Sequence, residues 1–546
     1  MKALFLLTAG LPECRPGVYH TGMSQSLQNY RNGLPLGLVL RGFVCWLAFN
    51  SVTRAQLSDE SLQQAQAFES TLIAAIRAAE PSVVSIARVP SARLNGLTSP
   101  PARFPALASG ELGTSFVATD FGSGVILSGA ADDENRYVLT AAHVVFGRRS
   151  YSDPGDPETL AKTDLYVRLA SRHILPAELI AADQRSDLAV LRLPLLDSGI
   201  PIESAPPIAM GDGVPLVKGR LVVALGNPYA IARDGSASAS IGIVSNVSRR
   251  PWPPRGVLSD PTEEDLTIHH YGTLLQVDTR LNLGASGGAL VDLQGRLVGL
   301  TTAMAALEGY EKSVGYAVPI DHAAIHIIES LQQGYEVEYG FLGIQPGEAD
   351  AQQLAPFRQL TTQASAARVR RVAPGSPAEL GSLRVNDIVL KVGETPVYSD
   401  LDLVREVGWL GPDVVAKLSV LRPDENRVLE VECRLGKWPV YDESLSIVTR
   451  ERQPVWRGLH IDYATARKRY LPANPLLAFP TGVVVTRVDP DTPAAKAGLA
   501  EGLFIVEAAG RSIGSPADFQ SVITDATGDV VLKLSNGSSV TVAAGG

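Results

Sequence analysis

Cysteine is nearly absent: among 546 residues only Cys14, Cys45 and Cys433 occur. The first two fall in a segment that reads as a leader, so the remainder keeps Cys433 alone and an intramolecular disulfide is excluded there. The folded state must then rest on its hydrophobic cores, unlike small secreted scaffolds held by several bridges. Cys433 lies in the alternating stretch Leu429-Glu430-Val431-Glu432-Cys433 and reads as a buried apolar filler on a strand, not a nucleophile. An excess of positive charge is missing as well. Lys and Arg number 48 against 57 Asp and Glu, a net charge of −9, which argues against nucleic acid as a partner because phosphate binding needs a basic surface. No Walker loop or other nucleotide signature is present, so ATP-driven chemistry is not expected. Metal-ligand spacing is lacking too: His269-His270 has no third ligand at a useful distance along the chain and reads as an exposed pair. Neither a cofactor nor a metal is expected.

A long uninterrupted apolar run is also wanting. Leu34 to Phe49 is apolar but is broken by Arg41, preceded by Arg31 and followed by Thr53-Arg54-Ala55-Gln56. That order resembles a charged n-region, a short h-region and a small-residue cleavage site, with cutting after Ala55. Residues 1–55 are therefore expected to be a signal segment for export to a bacterial periplasm or cell envelope, and Met23 is an alternative start that shortens it to an ordinary length. Left uncut, the segment would act as a membrane anchor. Its loss lowers the net charge from −9 to −13, since it carries Lys2, Arg15, Arg31, Arg41 and Arg54 against Glu13.

What is present is a globular composition, 45% hydrophobic and 19% charged, over a length that suits about three domains. The most informative stretch is Gly284-Ala285-Ser286-Gly287-Gly288, read with Thr140-Ala141-Ala142-His143 upstream. A serine hydroxyl attacks poorly unless an imidazole takes its proton, and the oxyanion then formed needs preorganised N–H donors. Glycines around Ser286 let the backbone turn tightly and present such donors. A third member, Asp187, opens the apolar run Leu188-Ala189-Val190, which reads as a buried strand and would set its carboxylate beside the core, where it could hold an imidazole in one tautomer. Asp183 competes for that role; it is placed in a polar turn, and a base-orienting acid should be partly buried. The chain order His, Asp, Ser is that of the chymotrypsin-type double β-barrel.

The resemblance becomes specific when further blocks are added. Gly122-Ser123-Gly124-Val125-Ile126, Thr140 to Val144, Asp187 to Val190, Gly226-Asn227-Pro228, Gly242-Ile243-Val244-Ser245, Gln276-Val277-Asp278, the Ser286 loop and Gly315 to Ile320 follow one another as in HtrA/DegP-like proteases, over roughly residues 60 to 335. That resemblance implies a trypsin-fold endopeptidase without cofactor, a homotrimer or larger assembly, and degradation of misfolded or damaged proteins in the cell envelope. It also implies an oxyanion hole from the main-chain N–H groups of Gly284 and Ser286. The family's usual G-N-S-G-G reads Gly284-Ala285-Ser286 here, preceded by Leu283 in place of the frequent proline. Ala285 cannot pair with a freshly cut N-terminus, so activation by zymogen cleavage is not expected. Six residues before Ser286 stands Arg280, where trypsin-like enzymes hold the base of the S1 pocket. Selection of an acidic P1 residue by Arg280 competes with a plain surface arginine, and the family's taste for small aliphatic P1 residues favours the latter. Leu300-Thr301-Thr302 resembles the strand that pairs with the substrate backbone.

Along the chain, Leu62, Ala65, Phe68, Leu72, Ile73 and Ile76 form a helical stripe stopped by Pro81, and short β-patterns run from Ser82 to about Ile320 before a closing helix from His322 to Leu331. Two insertions, Gly147 to Thr163 and Ser248 to Tyr271, interrupt them, and by the resemblance the second senses a ligand and orders the active site. Beyond Gly334 the chain nearly repeats itself: Pro374-Gly375-Ser376-Pro377-Ala378 aligns with Pro490-Asp491-Thr492-Pro493-Ala494 at an offset of 116, with Leu383 on Leu499 and Ile388 on Phe504. Both copies resemble PDZ domains, expected over 336–440 and 452–546 behind a protease domain over 56–335. In the first, Gly340-Phe341-Leu342-Gly343-Ile344 resembles the loop whose N–H groups, at Leu342, Gly343 and Ile344, hold a peptide's C-terminal carboxylate. In the second, His460 of Gly458-Leu459-His460-Ile461 replaces the loop glycine on this reading, so copy one looks the better binder. The expected fold is mostly β, a chymotrypsin-type double β-barrel followed by two PDZ (α+β) domains. A regulated protease competes with a proteolytically weak or inactive PDZ scaffold or holdase; retention of His143, Asp187 and Ser286 favours the enzyme.

Overall fold

The computed structural model describes residues 59–90, 120–129, 135–147, 163–227, 236–250, 267–281, 284–302, 315–441, 443, 446–473, 478–524 and 526–544. The expected leader, with Cys14 and Cys45, and most of both insertions lie outside these residues. Among the described residues no helix is long and apolar enough to cross a membrane.

Six strands close the first barrel: β1 (Val83–Pro90), β2 (Asp120–Ser128), β3 (Arg136–Ala141), β4 (Thr163–Arg168), β5 (Ile174–Asp183) and β6 (Leu188–Leu193). They run in the order β5-β4-β1-β2-β3-β6, and β6 pairs back onto β5. The second barrel is closed by β7 (Leu221–Gly226), β8 (Ser238–Arg249), β9 (Leu274–Val277), β10 (Ala289–Val291), β11 (Leu297–Thr302) and β12 (Gly315–Pro319), in the order β10-β11-β12-β9-β8-β7. The double β-barrel expected from the sequence is thus present.

Both faces of β6 are covered over most of its length, which explains why it is apolar but for Arg192. Leu188 and Val190 face the core between the barrels, while Ala189, Leu191 and Leu193 fill the interior of the first. Each leucine or valine among them contributes about 1.5 to 3 kcal/mol on burial. The helix Asp59–Ala79 packs Leu72, Ile76 and Ala79 on the inter-barrel core, and Ala75 is buried against Gly295. Phe68 and Ile73, expected in its buried stripe, are instead exposed, because the contacting face is set by 72, 76 and 79 at helical spacing. Pro81 enters a 3-10 turn, Glu80–Ser82, that ends the helix. The closing helix His322–Gln332 starts on Asp321, whose side chain accepts from the Ala324 N–H at 3.0 Å.

Two five-stranded sheets with short flanking strands follow, one from Ile344 to Arg434 and one from Leu459 to Val542. The offset of 116 recurs in the strands Ile388–Val392 and Phe504–Ala508, and in helices capped by Ser399 and Ser515. Cys433 is fully buried in the first sheet's core, and burial pushes its thiol up to about 11, as suits a filler. Between the two sheets the strand Ser446–Val448 leaves both and pairs with β5, opposite Asp183 to Ala181. Lys437, 2% exposed, lies among Glu336, Glu338 and Asp462 at 3.0 to 3.3 Å, so buried charge ties residues 336–338 to the second C-terminal sheet, and Glu336 in turn reaches Arg185 of the β5–β6 turn at 3.6 Å.

Candidate active site

Three segments converge at the junction of the barrels. The first is the short helix Ala142–Phe146 at the end of β3, which carries His143. The second is the turn between β5 and β6, in which Asp187 adopts a left-handed φ of 53°. Aspartate tolerates that region better than most residues. Asp187 then holds the histidine in several ways. Its main-chain carbonyl accepts from the Ala142 N–H at 2.9 Å, and its Oδ1 accepts from the His143 N–H at 2.9 Å. The imidazole Nδ1 lies 2.8 Å from Oδ2 and 3.0 Å from Oδ1. Because a carboxylate only accepts, Nδ1 carries the proton and Nε2 is left as the acceptor. Burial alone would push the Asp187 carboxyl up, but the adjacent His143 and its hydrogen bonds more than offset this and hold it below the usual carboxylate range.

The third segment is the Ser286 loop. Gly284 and Gly287 have φ of 91° and 80°, and a Cβ at Gly287 would lie 2.2 Å from the Ser123 carbonyl and 2.4 Å from Thr140 Oγ1. The same Cβ would reach the main-chain nitrogen of Ala141 at 3.2 Å, so the residue after Ser286 packs on the backbone two positions before His143. Ser123 joins the pieces: its N–H donates to the Ser286 carbonyl at 2.8 Å, and its hydroxyl donates to the Gly284 carbonyl at 2.7 Å and accepts from the Asn227 N–H at 3.0 Å. Thr301 clamps the other side, with its hydroxyl on the Ala285 carbonyl at 2.6 Å and its main chain paired with Gly287 and Gly288. Ser286 and His143 are 6% and 7% exposed, enough to meet a substrate and little else.

The competing Asp183 is not in an exposed polar turn. It is 2% exposed at the end of β5 and takes hydrogen bonds from Tyr339, Arg185 and the Ser186 N–H. Those partners come from residues distant in sequence, so its burial leaves no local signature. His269, read as exposed, is likewise buried, on a 3-10 turn (Ile268–Tyr271) packed behind Asp187. Sequence reasoning missed both. Arg280 is exposed, and its main-chain N–H donates to Ser240 Oγ at 3.0 Å. Leu300 is paired on both edges, with Ala289 and Val318, and Thr302 pairs with Tyr316.

In the first C-terminal sheet a cavity of about 320 Å³ is lined by Phe341, Leu342, Gly343, Ile344 and Val407, with Tyr271 of the second barrel at its border. Gly343 has φ of 76° and lies against Ser376. In the second copy the equivalent glycine is Gly458, with φ of 81° against Thr492, and not the position of His460. The carbonyls of Gly343 and Gly458 accept matching bonds from Ala373 and Asp489, an offset of 115 for Gly343 and Gly458 that shifts the alignment by one. His460 sits instead on the strand, between Glu451 and Asp489. The loop of this copy is closed by its own turn, the Leu459 N–H donating to the Trp456 carbonyl at 2.8 Å.

Family models match residues 122–300 as a trypsin-like peptidase domain and residues 340–433 and 484–534 as PDZ domains. A periplasmic serine endoprotease DegP-like protein of Ectopseudomonas mendocina is 30% identical over 409 residues, covering 74% of each chain. A protein of the same name from Halomonas elongata is 28% identical over 414 residues, covering 76% of each chain. Among solved structures, the HtrA-type protease AlgW with tripeptide aligns over 67% of this chain and 97% of its own at 23% identity, with a TM-score of 0.46. With a peptidase double barrel, two PDZ domains and relatives matched over three quarters of their length, this chain belongs to the DegP-like HtrA serine endopeptidases.

Proposed function

We propose that this chain is an ATP-independent endopeptidase of the bacterial periplasm in which Ser286 is the nucleophile, His143 its general base and Asp187 the carboxylate that orients the base. The observation that carries this reading is the buried His143–Asp187 pair at 2.8 Å beside a glycine-turned serine loop. With Nδ1–H turned to Asp187, Nε2 takes the Ser286 proton as Oγ attacks a peptide carbonyl carbon. The N–H groups of Gly284 and Ser286 receive the negative oxygen, a contribution of about 3 to 4 kcal/mol per donor in acyl transfer. His143 then protonates the leaving amine, and water, activated by the same imidazole, releases the acyl group.

The substrates on this reading are misfolded or damaged proteins, taken as extended chains. Leu300 and Thr301 have their edges engaged by β10, β12 and the serine loop, so the substrate strand continues from Thr302. An exposed Arg280 favours a small aliphatic P1 residue over an acidic one. The first PDZ domain binds peptide C-termini through the N–H groups of Leu342, Gly343 and Ile344 and thereby regulates cleavage; the second, with its loop closed on itself, does not take part. Assembly as a homotrimer or larger belongs to the same reading.

A fluorophosphonate probe should label the full-length protein and lose its target in Ser286→Ala, and the parent alone should degrade unfolded casein. Binding of C-terminal peptides without any labelling would instead mark a non-proteolytic scaffold.

A further inference from the structure

A buried histidine that this chemistry does not use lies behind the triad aspartate. His269 is 1% exposed on the 3-10 turn Ile268–Tyr271. Its Nε2 is 3.0 Å from the Ser186 carbonyl oxygen, and its Nδ1 is 2.6 Å from Thr273 Oγ1. A carbonyl only accepts, so Nε2 carries the proton, and Nδ1 accepts from the threonine hydroxyl. Burial pushes the imidazole down to about 4, against the pull of Asp187 and the Ser186 carbonyl, so the ring is neutral near pH 7 in this one tautomer.

The bonded carbonyl belongs to the peptide unit that joins Ser186 to Asp187. At its other end the Asp187 N–H donates to the Gln184 carbonyl at 3.2 Å. The plane of that peptide is therefore held from both sides, and its orientation sets the φ of Asp187, an uncommon 53°. If the plane turned, the Asp187 carbonyl would leave the Ala142 N–H and its carboxylate would leave His143. The neighbouring Ile268 N–H donates to the Arg185 carbonyl at 2.7 Å and fastens the 3-10 turn to the same loop.

We infer that His269 is a positioning residue for catalysis: through the Ser186–Asp187 peptide it holds the aspartate in the left-handed conformation from which that carboxylate orients His143. The inference rests on the triad assignment made above, and it extends the machinery by one residue that touches neither substrate nor nucleophile.

The test uses the full-length protein, with fluorescein-labelled casein for turnover and a fluorophosphonate for the labelling rate. His269→Leu removes the donor, while His269→Gln restores an N–H near the position of Nε2. Thr273→Val, nearly isosteric, frees the tautomer without emptying the site and serves if His269→Leu fails to fold, which thermal unfolding reports. The expected result is a fall in kcat of roughly 10- to 100-fold for His269→Leu with KM within twofold, a smaller fall in the same sense for Thr273→Val, and recovery to within about fivefold in His269→Gln. In an Asp187→Asn background, itself expected to lose roughly 10⁴-fold, His269→Leu should cost less than twofold, because the residue acts through Asp187. A folded His269→Leu with parental kcat, or one that loses as much in the Asp187→Asn background as in the parent, overturns the proposal. If His269→Leu does not fold, parental kcat in Thr273→Val does so. Should Asp187→Asn alone keep full activity, the triad assignment falls and this inference falls with it.

Discussion

The Tyr339 hydroxyl donates to Asp183 Oδ2 at 2.7 Å, tying the segment behind the second barrel to the turn that carries Asp187. Arg185 completes the joint, with its guanidinium 4.7 Å over the Tyr339 ring and one N–H on the Val337 carbonyl at 2.6 Å. Burial and the Asp183 charge push the tyrosine hydroxyl well above its ordinary range, so it stays a donor at any working pH. Tyr339→Phe leaves Asp183 one partner short. A cost of about 1.5 to 3 kcal/mol in urea unfolding is expected, the range for a hydrogen bond to a charged group, with a lower kcat on casein. Unchanged values of both would separate the joint from the active site.

Lys437 offers a sharper test of the joint between residues 336–338 and the second C-terminal sheet. Replacing it by Met leaves Glu336, Glu338 and Asp462 facing one another in a buried site, with Arg467 as the nearest remaining cation. Breaking a buried pair from one side costs about 3 to 5 kcal/mol. Denaturant titration of Lys437→Met should show that loss; a variant as stable as the parent would mean that the carboxylates take up protons or water at little cost.

Acid should act through two groups in two windows. Burial would raise the Glu336 carboxyl, but Lys437, Arg467 and Arg185 hold it at about 2 against an ordinary 4.5. Its contribution to stability is complete above 4.5 and is lost as the pH falls toward 2, so Glu336→Gln should flatten the stability profile there. His269 is pushed down from 6.5 to about 4 by burial, with Asp187 and Asp183 opposing and His270 adding to the shift. The unfolded chain then binds the proton first, and stability declines as the pH falls from 6.5 to 4. Thermal midpoints of parent and His269→Gln across both windows check the assignment, since the decline above pH 4 should vanish in the variant.

Gly287→Ala probes the serine loop without touching Ser286 itself. A methyl there would meet the Ser123 carbonyl at 2.2 Å on a backbone with φ of 80°. Neither neighbour is the far end of a flexible side chain, so the loop must move. Loss of fluorophosphonate labelling by at least tenfold, with the barrels still folded by circular dichroism, is expected; normal labelling would show that the loop tolerates displacement.

Legibility followed the range of the interactions. The apolar run of β6, the stop at Pro81, the glycine-lined turn at Ser286 and the repeat at 116 are short-range or self-similar features, and each could be read residue by residue. Misreadings fell where partners are remote. Asp183 and His269 look polar and exposed in their own neighbourhoods, yet Tyr339 covers the first from 156 residues away and Ser186 bonds the second from 83. The glycine of the second PDZ loop, expected at 460, stands at 458: Leu459-His460-Ile461 imitates Leu342-Gly343-Ile344 in residue type, whereas the matching bonds on the Gly343 and Gly458 carbonyls set the true register.

By itself the chain's order of residues determined the class of fold, the two copies of the C-terminal module and the residue types available for chemistry, since these depend on local backbone preference and alternation. Tertiary structure alone decided which carboxylate faces His143, that His269 lies under the Asp187 peptide, and that Ser446–Val448 joins β5. The reason is physical: burial and pairing are set by whatever the fold brings alongside, and no residue carries that information in its own neighbourhood.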